Sequence, residues 1–216
     1  MVDQQRKNLD NMFIQFDMQE VNKHKDNAEK ASQTAKTLYP YEKWDFLENG
    51  IFIAKGRMPR SAEQINILEK ELRQARILVE RGSTVYLLPE TSHSSEKHVK
   101  YPDAVVDDQV MEFKTITGNI RQIEERYKEA RAKATHVFMK IDAALSPYDV
   151  SRKLLGCINR KGYTGGGILV YFTQSGEFYE WSEAELASSM YLGQKKSGPC
   201  DPAAIRGKSD IPKCPR

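Results

Sequence analysis

The chain has 216 residues, which allows one domain of ordinary size with extensions, or two small ones. A hydrophobic share of 39% and a charged share of 29% allow a buried core beside long solvated helices or tails. The net charge of +3 permits a nucleic-acid surface without demanding one; residues 1–26 hold no apolar signal stretch and no later run is long enough for a membrane span, so the expected setting is cytoplasmic, with no membrane partner.

Residues 1–37 read as a charged helical arm. Leu9, Met12, Phe13, Phe16 and Val21 form a short apolar stripe that fades into a segment of charged and small residues. Such composition predicts a solvated or partly disordered helix; an assembly or interaction arm is the functional alternative. Tyr39 to Trp44 punctuates the chain and opens a compact domain over 38–192. Gly50 to Ala54 reads as a strand. Ser61 is a candidate N-cap for a helix from Ala62 to Arg81, with Ile65, Leu68, Leu72, Ala75 and Val79 inward and Gly82 as its stop.

Thr84 to Leu88 then reads as a buried strand that ends at Pro89-Glu90, and 91–100 as a polar loop. Two extended runs, 103–106 and 109–116, flank Asp107-Asp108. Asn119 to Ala134 has Ile120, Ile123, Tyr127, Ala130 and Ala134 at helical spacing. Its polar stripe of Gln122, Arg126, Glu129 and Lys133 is either laced with ion pairs or in contact with phosphate.

His136 to Ile141 is a strand, and Ser146-Pro147 caps a helix to about Asn159. The run from Ser151 to Lys161 carries Arg152, Lys153, Arg160 and Lys161 with no acid among them. The glycine-rich loop 161–167 lacks the ending of a phosphate loop and reads as a turn. Strands over 168–172 and 177–181 flank Ser175-Gly176, and a basic tail over 193–216 is expected to be mobile. Cys157, Cys200 and Cys214 are odd in number and lack a CxxC pair. That argues against a zinc site or a disulfide framework and leaves open a Cys200–Cys214 bridge. The sequence of helices and strands predicts an α/β domain with a mixed central sheet flanked by helices.

The chemistry concentrates between Tyr101 and Lys114. Glu112 and Lys114 are two apart on a strand and share a face. If Asp107-Asp108 is a two-residue turn, Asp103 opposes Glu112, with Cβ atoms about 5 Å apart. A three-residue turn would pair Ala104 with Glu112 and turn Asp103 to the other face. Two carboxylates and a lysine at one spot call for a proton or a cation between the acids, and Mg2+ suits oxygen donors.

Asp103…Glu112-x-Lys114 resembles the signature of the PD-(D/E)xK nucleases. Val85-Tyr-Leu-Leu-Pro-Glu90, followed by Pro102-Asp103 and Glu112-Phe-Lys-Thr115, is similar to the C-terminal nuclease domains of contact-dependent growth-inhibition toxins, and the likeness runs from about Glu69 to Trp181. The resemblance implies a restriction-endonuclease-like core and hydrolysis of RNA, including transfer RNA, or of DNA. It implies Mg2+ or Mn2+ held by Asp103 and Glu112, a nucleophile positioned by Lys114, and an inhibitor (immunity-like) protein as a partner. It also implies a helper glutamate on the preceding helix. Glu71 fits that role best, with Glu63 and Glu69 as rivals.

Lys97, His98 and Lys100, in the loop before the motif, and Gln122 after it are the expected substrate contacts. The alternative is a non-catalytic module that binds nucleic acid or a partner in a phage or mobile element. A third is a structural component that assembles through its arm. The oligomeric state is left open.

Overall fold

Alternation of β-branched and aromatic residues builds one mixed sheet in which strand order follows chain order from β1 to β8. The computed structural model describes residues 25–89 and 101–188. The apolar stripe of the arm, Glu90, the loop with Lys97, His98 and Lys100, and the tail over 193–216 lie outside the described residues. A helix over 25–38 (α1) leads into β1 (Trp44–Glu48) and β2 (Ile51–Ala54), then a short turn at Lys55–Arg57 and α2 (Ala62–Val79). β3 (Val85–Leu87), β4 (Ala104–Val106) and β5 (Gln109–Ile116) follow, then α3 (Arg121–Arg131), β6 (His136–Ile141) and α4 (Pro147–Lys161). β7 (Gly167–Phe172), β8 (Glu177–Ser182) and α5 (Glu183–Ala187) complete the domain.

β2–β3, β5–β6 and β6–β7 pair in parallel, and the other neighbours pair antiparallel. One sheet face, with Ile53, Leu87, Met111 and Phe113, is buried under Ala75 and Leu78 of α2. The opposite face, with Ile116, Met139, Ile141 and Val170, is buried under α3 and α4. The strands step the same way across the sheet, yet their crossover helices lie on different faces. The α2 crossover therefore has the opposite hand to those of α3 and α4, a departure from the usual uniform hand of parallel connections.

Four findings depart from the sequence reading. First, residues 25–37, expected within a solvated arm, dock on the face shared with α3. Ala31 and Ala35 are fully buried against Tyr86, Leu88 and Val105, so this part of the segment is packed rather than solvated. Two alanines one turn apart give close contact without a visible apolar stripe. Second, β1 forms a hairpin with β2 through Asn49-Gly50, with Gly50 at φ +75°; asparagine–glycine between aromatic runs is a strong hairpin signal.

Third, Ile65, expected inward, is 47% exposed, because burial along α2 begins nearer its C-terminal half with Gln74, Ala75 and Leu78. Fourth, α5 is capped by Ser182, whose side chain accepts from Glu185 N while Glu185 accepts from Ser182 N. Its buried Glu183 accepts from Tyr127 Oη, Arg131 Nε and Gly166 N. At Gly166 a Cβ would lie 2.5 Å from Thr135 O, so the loop closes on Glu183 only with glycine there.

No helix among the described residues is long and apolar enough to cross a membrane.

Candidate active site on the β4–β5 hairpin

The β4–β5 ladder pairs Ala104 with Met111, Val105 with Val110 and Val106 with Gln109, the register of a two-residue turn. Asp107 takes a left-handed φ of 55°, which aspartate tolerates. Its amide donates to Thr84 O and its carboxylate accepts from Thr84 N, both at 2.9 Å, so β3 pins the turn. One step beyond the ladder, Asp103 O accepts from Leu88 N at 3.0 Å and Asp103 Oδ2 from Phe113 N at 2.8 Å. Alternation places Asp103 on the face of Val105, Glu112 and Lys114, opposite the face covered by α2.

Glu112 has no exposed surface. Its Oε1 accepts from Lys114 Nζ and from Lys133 Nζ, each at 2.7 Å. Its Oε2 is buried and has no hydrogen-bond partner. Burial and then the charge of Asp103 push the Glu112 carboxyl above its ordinary range, while the two lysines pull against them. Burial alone would lower the Lys133 ammonium. The hydrogen bond and charge of Glu112, with Asp103 and Glu71 behind it, hold it above its usual value.

A second cation organises the other side. Arg57, on the turn after β2, is buried. Its guanidinium donates to Glu71 and to Leu88 O, and Asp103 Oδ1 lies 3.9 Å from it. Gln74 Nε2 donates to Lys114 O at 2.9 Å and ties α2 to β5. Glu71, Asp103 and Glu112 thus meet Arg57, Lys114 and Lys133, three charges against three.

Asp103, Glu112 and Lys114 lie together, and Arg57 links Glu71 to Asp103. Of the rival glutamates, Glu63 is exposed and Glu69 pairs with Arg73 at the surface. Gln122 turns back at the start of α3, where its Oε1 accepts from Gly118 N at 3.0 Å; its amide braces that turn and is not part of the cluster. Lys97, His98 and Lys100 lie outside the described residues.

Arg57 and Lys133 are the members that sequence reasoning missed. Lys133 ends the polar stripe of α3 and stands four residues before Val137, the ladder partner of Glu112, so a parallel crossover returns it beside that acid. Nothing in the sequence singles out Arg57.

Among the described residues, no three or more His, Cys, Asp or Glu side chains are grouped so as to hold a metal ion. Asp103 and Glu112 place their carboxylates on one face, and the orphaned Oε2 of Glu112 is an acceptor without a hydrogen-bond donor. Carboxylate oxygens of this kind could hold a hard cation such as Mg2+ or Mn2+, and ammonium groups occupy the neighbouring oxygen. No family model, curated protein or solved structure matches the chain.

Proposed function

We propose that this protein is a divalent-cation-dependent nuclease that hydrolyses phosphodiester bonds in RNA or DNA. The observation that carries the reading is Glu112: fully buried, with one oxygen unpartnered, beside Asp103 and two residues from Lys114 on the same face. The buried Oε2, left without a donor while two lysines share Oε1, is costly unless a cation or donor comes to it. The element order around it, α2–β3–β4–β5–α3–β6, agrees with the PD-(D/E)xK resemblance of the sequence.

Asp103 and Glu112 would hold Mg2+ or Mn2+. When bound, the cation supplies an acidified water and neutralises charge that builds on the phosphate. Lys114 orients the attacking water and stabilises the transition state with its ammonium. Gln74 fixes the Lys114 backbone, and Arg57 keeps Glu71 and Asp103 in place.

The test is incubation of the purified protein with plasmid, single-stranded DNA and total RNA, with magnesium and with excess chelator. Cleavage is expected only with the cation, and circular dichroism should show the fold intact in chelator, since both core faces are apolar. Undiminished cleavage in chelator overturns the metal mechanism. The three-to-three charge balance favours a second reading, a non-catalytic module that binds nucleic acid or a partner on this fold. Binding without cleavage in magnesium would support it.

A further inference from the structure

Lys133 differs from the other two cations of the cluster. Arg57 is buried, and Lys114 rises from β5 itself, next but one to Glu112. Lys133 comes from the segment after α3, two residues past Arg131, and its side chain is 27% exposed, against 16% for Lys114. Both ammoniums share Glu112 Oε1, while Oε2 has no partner. One carboxylate charge thus takes two cations on a single oxygen.

A cation held by Asp103 and Glu112 would add positive charge beside Lys133. Like charges at that range repel strongly where water is scarce. Lys114 is fixed by its strand, whereas the more exposed Lys133, past the end of α3, has room for its stem to swing toward solvent.

We propose that Lys133 is a displaceable counter-ion. It holds Glu112 in the cation-free protein, leaves when a divalent cation binds, and then meets the phosphate of the incoming nucleic acid. The inference rests on the nuclease reading. Because the same ammonium serves the carboxylate first and the phosphate second, cation and nucleic acid strengthen each other's binding, and by linkage the effect is mutual. Lys133 is then a positioning residue in the resting protein and a substrate contact in the loaded one.

The experiment uses the full chain and its Lys133→Met and Lys133→Arg variants. Calorimetry with Mn2+ alone should show Lys133→Met binding the ion about tenfold tighter than wild type, an ordinary size for coupling between sites. Lys133→Arg should stay near wild type. Mn2+ should tighten binding of a fluorescent phosphorothioate oligonucleotide to wild type, and Lys133→Met should lose that enhancement. If Lys133→Met does not fold, Lys133→Gln carries the same measurement without the charge.

A purely structural Lys133 predicts the reverse, weaker Mn2+ binding and a lower melting temperature in the neutral variants. Mn2+ binding no tighter than wild type, in a protein that binds the ion and cleaves, overturns the displaced counter-ion alone. A wild type that neither binds Mn2+ nor cleaves overturns both readings together.

Discussion

Glu112 has no exposed surface and receives two ammonium donors on one oxygen, so its charge and its size can be tested separately. Glu112→Gln keeps the size and removes the anionic donor. Lys114→Met keeps the stem and removes the ammonium. Each should lower single-turnover cleavage by about a hundredfold or more, the range for groups that stabilise transition-state charge. Equilibrium binding should change much less, because phosphate contacts spread along a surface carry most of the affinity. Full activity in Glu112→Gln rejects the site. At this scale the sequence showed the shared face of Glu112 and Lys114 and the two-residue turn that sets Asp103, because both follow from local periodicity. It did not show Arg57 or Lys133, whose contacts depend on where a crossover returns the chain.

Between elements, one carboxylate clamps α3 to α4. Glu124 accepts from Lys128, Arg160 and Lys153, at 2.5, 2.6 and 3.2 Å. These hydrogen bonds, Lys128 foremost, hold its pKa down to about 2 from an ordinary 4.5. A depressed carboxylate stabilises the fold above its unfolded pKa and loses that contribution as pH falls through its folded one. Wild type should therefore melt above Glu124→Gln at neutral pH. The gap should shrink from pH 4.5 downward and close near pH 2. A gap that stays constant across that range in melting curves would show that the clamp does not stabilise the fold.

The long periodic elements, α2, α3, β6 and α4, were legible to within a few residues because each repeats its pattern over several turns or pleats. β1 and α5 were overlooked although Asn49-Gly50 and the capping pair Ser182 and Glu185 announce them. Both are short, and only end signals mark them.

For the molecule as a whole, the docked helix α1 completes the covering of one sheet face. Its sequence concealed this because its buried surface is alanine, with charged residues around it. Ala31→Glu would place a carboxylate against Tyr86, Leu88 and Val105 and should cost about 2–4 kcal/mol. Lys30→Glu, on the exposed side of the same turn, is the control and should change little. Thermal melts of the two variants check this, and an unshifted Ala31→Glu would mean that α1 does not pack on the sheet.

Strand order that follows chain order also bears on how the protein is made. Every strand from β2 onward finds its first neighbour already synthesised, so the sheet can grow from its N-terminal edge as the chain emerges. Each step joins strands that are next to each other in the chain, which limits the loop-closure entropy to that of one connection at a time. The hairpin that carries Asp103 and Glu112 precedes β6, the strand that covers its open edge. α3 and Lys133 come next in the chain, immediately before β6 closes that edge. If the sheet is laid down in chain order, the acid destined for full burial stays hydrated until Lys133 has been made.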